Sequence, residues 1–173
     1  MAPEPALVNA GELRSWILQD DDDLLVVDKP GWLVCHPSKA GPWSSLVGAC
    51  REFTGLETIH LVSRLDRETS GLVLLAKHRA AAKCYQSAIE KRLVDKSYLA
   101  ILQGDLVDET RVKQPLAKDL ESVIASKVTV RRSRSAKSAE TLFRPLARGN
   151  GFTLAEIVPI TGRKHQIRAH ALW

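Results

Sequence analysis

Short apolar runs separated by polar turns dominate this chain, and they predict strands more often than helices. Near the start, the apolar runs Trp16–Leu18 and Leu24–Val27 are separated by four aspartates, so we expect a β-hairpin with a solvated acidic turn. The second run ends at Lys29-Pro30-Gly31, a combination that breaks strands.

The rest of the chain adds one clear helical segment and several more strands. Leu72–Ala76 is a continuous apolar run that predicts a buried strand, and His78–Arg92 carries apolar residues at helical spacing, namely Ala80, Ala81, Cys84, Ala88 and Ile89. Further strands are predicted at Tyr98–Leu102, around Arg111, and at Val128–Val130, Ala139–Phe143 and Phe152–Val158. A last helix is expected just after Thr161-Gly162, with Thr161 as its cap. The pattern predicts a mixed α+β fold, mainly antiparallel sheet flanked by helices.

Composition narrows the class of protein. With 173 residues and 45% apolar residues, the chain is long enough for one domain with a real core. No apolar run approaches the roughly 20 residues of a membrane span, and the N-terminus does not resemble a secretory signal. Three cysteines without a C-x-x-C pair argue against a zinc ribbon or a disulfide scaffold. We therefore expect a soluble cytoplasmic protein with no membrane partner.

The net charge of +5 is unevenly distributed. Residues 1–28 have a net charge of −6, so residues 29–173 have a net charge of +11. The segment 111–138 alone has a net charge of +6 and includes Arg131, Arg132 and Arg134. A solvated basic hairpin is one interpretation of that segment, and an edge that contacts phosphates is the other. A basic body of this kind favours a polyanionic partner.

Candidate chemistry is concentrated in the segment from His60 to Gly71, which contains Arg64-Leu65-Asp66-Arg67. Cationic neighbours favour the ionised form of a carboxylate, so Asp66 is a candidate nucleophile or base. On its own, this run is more typical of a structural salt-bridge loop.

The whole segment resembles the catalytic loop of the RluA-type pseudouridine synthases, H-R-L-D-x-x-T-S-G followed by apolar residues. Three other segments resemble family motifs in the same order: Asp28-Lys29-Pro30 with His36-Pro37, then Lys96–Ala100 ending at Gly104, and Thr161–His170. The resemblance covers most of the chain. It implies a pseudouridine synthase catalytic core, an isomerase that converts specific uridines in structured rRNA or tRNA to pseudouridine without a cofactor or a metal.

The resemblance also implies roles for individual residues. Asp66 is the essential carboxylate, Arg168 matches the arginine that pairs with it, and Tyr98 matches the active-site tyrosine, whose ring can stack on uracil. Ile167 is expected in the apolar wall of the pocket, and the expected RNA contacts are Arg64, Arg67, Arg163, Lys164, His165, Arg131, Arg132 and Arg134. Without this resemblance, we would interpret Tyr98 as a core residue, Arg168 as a basic surface residue and Arg64 as a salt-bridge partner of Asp66. The five-residue spacing of His165 and His170 argues against a metal site.

The chain departs from the family in three places. Ser63 stands where many members have His, and Trp32 stands where Gly is usual, although Gly31 is adjacent. The chain also stops at Trp173, before the family's G-H-P-I-x-G-D-like stretch, so we expect a core truncated at its C-terminus. We divide it into a lead-in and hairpin at 1–22 and a catalytic domain at 23–173, with no S4-like domain, and expect a monomer. An inactive RNA-binding relative and a metal-dependent hydrolase or nuclease are the alternatives.

Overall fold

The computed structural model describes residues 7–36, 40–119, 122 and 127–173. These residues form two compact units, an N-terminal unit that ends at Val94 and a C-terminal unit that begins at Asp95.

The N-terminal unit is a four-stranded sheet with helices. Its elements in chain order are α1 (Ala10–Trp16), β1 (Ile17–Asp20), β2 (Leu24–Lys29), a 3₁₀ turn (Pro42–Ser44), α2 (Leu46–Thr54), β3 (His60–Leu61), β4 (Gly71–Ala76) and α3 (Arg79–Glu90). The strand order is β1-β2-β4-β3, with antiparallel neighbours. The central strands β2 and β4 supply core residues with no exposed surface, among them Leu25, Val27, Val73 and Leu75.

The predicted hairpin at the start is confirmed, but its first strand begins one residue later than expected and extends to Asp20. Trp16 ends α1 instead of beginning the strand, and this helix was not predicted. A capping box explains it: the Asn9 side chain accepts from the Glu12 amide at 2.9 Å, and the Glu12 carboxylate accepts from the Asn9 amide at 3.1 Å. The helix α2 was also missed by the sequence pattern.

The acidic turn of the hairpin is ordered by its own carboxylates. Asp21 accepts hydrogen bonds from the Gln19 side chain at 2.6 Å and from the amides of Asp23 and Leu24 at 2.9 and 2.7 Å. These bonds, led by the one from Gln19, lower the pKa of Asp21. Asp20 pairs with Lys77, and Asp23 accepts from His78 at 2.7 Å. The concentrated negative charge is therefore partly matched by the residues that follow β4.

The predicted helix at residues 78–92 is confirmed, with a different buried face. His78 Nδ1 accepts from the Ala81 amide at 3.3 Å and caps the first turn of α3. Ala81 and Ala82 are buried, and Tyr85 and Ile89 pack beside them, whereas Ala80 and Cys84 are exposed. The apolar stripe is thus rotated from the predicted one.

The C-terminal unit is built from antiparallel strands and one short helix. Its elements are β5 (Tyr98–Gln103), β6 (Thr110–Val112), β7 (Leu116–Lys118), β8 (Val128–Val130), β9 (Thr141–Gly149), β10 (Phe152–Pro159) and α4 (Gln166–Ala171). Four strands form one sheet in the order β5-β10-β9-β6, and β7 pairs with β8. The predicted strands in this part of the chain are confirmed, and β9 runs further than expected. The strands of the larger sheet supply a buried cluster of Val112, Phe143, Ala155 and Ile157.

The last helix begins later than the sequence pattern predicts, and Thr161 is not its cap. Residues 163–165 form a turn in which Gln166 Oε1 accepts from the Arg163 amide at 3.0 Å, and α4 begins only at Gln166. His165, in the left-handed region at φ 51°, precedes the helix, and that backbone geometry prevents the helix from extending back to Gly162.

The predicted fold class is confirmed: the described strands pair antiparallel within two sheets and a hairpin, with helices beside them. Among the described residues, no helix combines the length and apolar character needed to cross a membrane.

Candidate functional site

Asp66 lies in the loop that joins β3 to β4, which we call the Asp66 loop and define as residues 62–70. Both ends of the loop are fixed by the sheet, because His60 and Leu61 pair with the end of β4 and the Val62 amide donates to Leu74 O at 3.0 Å. Within the loop, the Thr69 amide donates to Asp66 O at 3.1 Å and closes a turn. Gly71 at φ 116° then starts β4 in a conformation that disfavours other residues. Asp66 is half-buried in this turn.

Lys29, the last residue of β2, is fully buried against this loop. Its Nζ donates to Pro30 O at 2.7 Å, to Leu33 O at 2.8 Å and to Arg67 O at 3.0 Å. An ammonium has three N–H donors and no acceptor, so three carbonyl oxygens satisfy it completely. Burial lowers the pKa of Lys29, and the negative charges of Glu68 and Asp66 oppose that shift.

Cys35 and Gly31 contact the same loop. The buried Cys35 thiol donates to Leu65 O at 3.4 Å, and burial raises the pKa of this thiol, which favours the protonated donor form. A Cβ at Gly31 would lie 3.2 Å from Glu68 O, so the absent side chain permits a close approach of the two backbones. Gly31 therefore provides a small residue in this turn although Trp32 follows it.

The two arginines beside Asp66 are exposed. Arg64 Nη1 donates to His36 Nε2 at 3.4 Å, and Arg67 Nε pairs with Glu68 at 2.6 Å. Both contacts lie at the surface, where an ion pair such as Arg67–Glu68 contributes little to stability. Pro37, the other residue of the motif that includes His36, lies outside the described residues.

Tyr98 and Ile167 are brought together in the C-terminal unit. Tyr98 begins β5 opposite Ile157 of β10, and both Tyr98 and Ile167 pack against the buried cluster under this sheet. Tyr98 is half-buried, so part of its surface remains accessible. Both residues thus belong to the partly covered surroundings of the same cluster.

The segment that precedes α4 is held by a buried amide. The Gln166 side chain is only 4% exposed. Its Oε1 accepts hydrogen bonds from Thr161 Oγ1 at 2.7 Å and from the Arg163 amide. Its Nε2 donates to Glu140 O at 2.9 Å and to Thr141 Oγ1 at 3.0 Å. All the polar groups of this side chain are satisfied. The turn that carries the predicted RNA contacts Arg163, Lys164 and His165 therefore has a fixed backbone.

His170 extends the same network. Its Nε2 lies 3.0 Å from Gln114 O, and its Nδ1 lies 2.8 Å from Thr141 Oγ1. A carbonyl only accepts, so Nε2 donates to it, and in the tautomer with its proton on Nε2 the ring accepts from the Thr141 hydroxyl at Nδ1. The ring is 3% exposed, and its role in this motif is structural.

The remaining predicted site residues are basic, and all of them except His165 are exposed. Arg168 lies on α4, Arg163 and Lys164 on the turn before it, and His165 is half-buried. Arg163 Nε donates to Ser138 O at 3.1 Å. Arg131, Arg132 and Arg134 follow β8 instead of occupying the turn between β7 and β8, and all three are exposed.

Sequence reasoning missed the residues that hold the backbone of the two motif segments. These are Lys29, Cys35, Thr141, Gln166 and His170. One signal was available: a lysine that directly follows an apolar strand and precedes a turn is well placed to be buried with carbonyl partners. For Thr141 no local signal exists, because its partners lie 25 and 29 residues away.

Comparison with known proteins identifies a family and several relatives of this chain. A family model described as RNA pseudouridylate synthase matches residues 23–173. Ribosomal large subunit pseudouridine synthase C of Vibrio vulnificus is 35% identical over 173 residues, and that of Escherichia coli K12 is 34% identical over 170 residues. Each alignment covers 98% of this chain, but only 52% and 53% of the relative. The chain thus spans about half the length of the curated relatives it matches.

Solved structures of pseudouridylate synthase domains are similar to this chain. Human RNA pseudouridylate synthase domain containing 4 has a TM-score of 0.73 and 32% identity, over 93% of this chain and 65% of that one. The human domain containing 1 has a TM-score of 0.73 at 24% identity, which supports the fold alone. Together, the fold and the ordered motifs show that the chain has the fold of an RNA-modifying enzyme. Within that class, the chain belongs to the RNA pseudouridylate synthase family.

Proposed function

We propose that this chain carries the catalytic core of an isomerase that converts uridine in structured RNA to pseudouridine, with Asp66 as its essential carboxylate. The supporting observation is the Asp66 loop itself. It presents a half-buried carboxylate in a turn that a buried ammonium and a buried thiol hold from behind. Membership in the family, through residues 23–173, supports the same assignment. We retain 1–22 as a lead-in to that catalytic part.

The proposed reaction needs no redox change. The N1–C1′ glycosidic bond of uridine breaks, the uracil turns within the site, and C5 forms the new bond to C1′. The C5 proton is lost and N1 gains one, so atoms and charge balance. Asp66 acts at the ribose or the base as nucleophile or base.

Tyr98 and Arg168 are the other proposed catalytic residues. The half-buried Tyr98 ring is suited to stacking on uracil, and its hydroxyl to moving the C5 proton. Arg168 is proposed to hold the carboxylate ionised and oriented, as a guanidinium does in a bidentate pair. Ile167 supplies apolar surface beside Tyr98.

RNA binding is proposed to be mainly electrostatic. The proposed contacts are basic residues, most of them exposed, in the Asp66 loop, the turn before α4 and the segment after β8: Arg64, Arg67, Arg163, Lys164, His165, Arg131, Arg132 and Arg134. Binding to single-stranded regions should then weaken with salt, with a log–log slope of about −0.7 per phosphate contacted. A flat salt response would contradict this interface.

The relatives named above are ribosomal large-subunit enzymes, which makes rRNA the favoured substrate, with tRNA as the alternative. We propose a cytoplasmic monomer that acts without a cofactor. Mapping pseudouridines in RNA from cells with and without the protein identifies the target.

The test of the function is release of tritium from C5-labelled uridine in cellular RNA. We expect release by the wild-type chain and a loss of at least about 10³-fold in Asp66→Asn, which keeps the size of the side chain but removes its charge. Asp22→Asn, in the exposed acidic turn, is the matched control and should retain full activity. Release by Asp66→Asn at the wild-type rate would refute the role of Asp66. RNA binding without release by the wild type would instead indicate a binding protein, and release that requires a divalent metal with strand cleavage would indicate a nuclease.

A further inference from the structure

An exposed indole lies in the turn that contacts the Asp66 loop. Trp32 is 40% exposed, although tryptophan is highly buried on average. Its neighbour Gly31 lies so close to the loop that a Cβ there would be 3.2 Å from Glu68 O. The proposed reaction gives Trp32 no role, and Gly is usual at this position in the family. The indole is therefore a property of this chain that the reaction itself does not account for.

The exposure of Trp32 is imposed by the backbone that carries it. Leu33 is only 1% exposed, and its amide donates to Pro30 O at 3.4 Å. Burial then alternates along the segment: Leu33 and Cys35 are buried, whereas Trp32 and His36 are exposed. Because the two buried residues are anchored in the core, the side chain of Trp32 is directed outward.

A second ring holds the indole in one orientation. Trp16, at the end of α1, packs against the core of the N-terminal unit, and its ring centroid lies 6.1 Å from that of Trp32 at an interplanar angle of 77°. In such an edge-to-face pair, each ring offers the other either an edge or one face, so Trp16 leaves at least one face of Trp32 uncovered. A ring that is already oriented loses little conformational entropy when a flat partner binds to it.

Basic groups accompany the ring. His36, exposed on the same segment, accepts from Arg64 Nη1 at 3.4 Å, and Arg67 neutralises Glu68 in the loop that Gly31 contacts. Proteins bind single-stranded nucleic acid with this combination, because cations follow the phosphates while aromatic rings stack on the bases. The charge beside the ring therefore favours an RNA base as its occupant over an apolar protein surface.

We propose that Trp32 is a stacking platform for an unpaired RNA base next to the nucleotide held at Asp66. Every base has a π face, so the platform adds affinity without selecting a sequence. It favours target uridines that have unpaired neighbours over those within continuous duplex. The proposal rests on the proposed function for the identity of the substrate, but base stacking itself can be measured without catalysis.

The first test compares two single-stranded probes by fluorescence anisotropy: an oligouridine of about 12 nucleotides and an abasic ribose-phosphate chain of the same length. The wild type should bind the oligouridine about 10-fold more tightly than the abasic chain, because only the former offers bases to the ring. Trp32→Leu should bind the oligouridine about 10-fold more weakly and keep its affinity for the abasic chain. Trp32→Phe retains a ring and should stay within about 3-fold of the wild type for both probes.

Phe152→Leu is the matched control, because Phe152 is an exposed aromatic residue at the start of β10, in the other unit. It should bind both probes as the wild type does. Trp32→Gly introduces the residue usual in the family and serves if Trp32→Leu does not fold; the same loss of affinity for the oligouridine is expected. The proposal is overturned if the wild type binds the oligouridine no more tightly than the abasic chain, or if the Trp32 variants lose affinity for neither probe or for both equally.

Kinetics give a second, independent readout. In the tritium-release assay on cellular RNA, Trp32→Leu should raise KM about 10-fold with kcat within about 3-fold of the wild type, because a base held beside the reacting nucleotide contributes equally to the ground state and the transition state. A lower kcat with an unchanged KM would overturn the stacking role. If the wild type released no tritium, the proposed function would fail, while the comparison of the two probes would still decide whether Trp32 stacks on RNA.

Discussion

The two motif segments of this protein are held in different ways. In the N-terminal unit, the Asp66 loop is held by a buried cation, Lys29, whose three donors meet three backbone carbonyls. In the C-terminal unit, the turn before α4 is held by neutral groups, the Gln166 amide, the Thr141 hydroxyl and the His170 ring. A buried charge gives few, strong and interdependent bonds, whereas a neutral network distributes its bonds over more groups. We therefore expect the site of the buried Lys29 to tolerate substitution less well than the network around Gln166.

The difference also concerns what each segment presents. Lys29 and Cys35 hold the residues directly beside a single half-buried carboxylate, so the placement of one side chain is at stake. Gln166 holds a turn whose Arg163 and Lys164 are exposed, so what is at stake is the course of a basic surface segment. Placement of a reacting group demands a tighter hold than placement of long, mobile cations.

The largest effect should come from removing the cation. Lys29→Met leaves three carbonyls without this donor, although it also relieves the cost of burying a charge, and we expect a loss of about 3 kcal/mol in the free energy of unfolding. Urea denaturation measures it. Asp28→Asn, at the exposed neighbouring position, should change stability by less than about 0.5 kcal/mol. A loss no larger than that of the control would show that the buried ammonium contributes nothing net.

A smaller effect is expected from the neutral network. Thr141→Val keeps the shape of a fully buried side chain but removes the hydroxyl that accepts from Gln166 and donates to His170. We expect a loss of about 2 kcal/mol and faster amide exchange at residues 163–166. Thr153→Val is the matched control, because Thr153 is equally buried and bonds only Gly104 O and the Leu106 amide among the partners described. It should cost a similar amount without affecting residues 163–166, and equal exchange in both variants would argue against the network.

The buried Lys29 and the network around Gln166 lie beyond what the sequence could predict. The strands were predicted from short apolar runs between polar turns. That every second residue of β5 lies on the covered face is seen only in the structure, because exposed and covered positions of this strand are both apolar. The network around Gln166 was not predicted, because Thr141 acts through partners that only the fold brings near. The same holds for the contact of His78 with Asp23, which lies 55 residues away. The candidate site was predicted through a family resemblance, which implied a role for Asp66 but not for the lysine behind it. Helix α4 began late because Gln166 bonds backward to Arg163, which hydropathy does not encode.

Alkaline pH should weaken the N-terminal unit selectively, since all three cysteines precede residue 95. Burial raises the pKa of Cys50 from 9.0 to about 12. In the unfolded chain this thiol ionises near its ordinary pKa while the folded state keeps the proton, so stability is lost as pH rises from about 9 towards 12. The stability difference between wild type and Cys50→Ala should fall by about 1.4 kcal/mol between pH 8 and pH 10. A difference independent of pH would contradict the burial of this thiol.

The smallest expected effect is on the rate at which Cys35 reacts with a thiol reagent. This rate reports on the contact between Lys29 and the Asp66 loop. Cys84 is exposed and should react rapidly with a thiol reagent, so it is first replaced in Cys84→Ser. In that background Cys35 and Cys50 are buried and should react only when the N-terminal unit opens. Because Cys35 and Lys29 bond the same loop, Lys29→Met should speed labelling of Cys35 more than that of Cys50, by about 10-fold at matched stability. Thr141→Val should leave both rates unchanged, since its network lies in the C-terminal unit. Equal acceleration at both thiols would mean that Lys29 stabilises the unit as a whole and has no particular hold on the Asp66 loop.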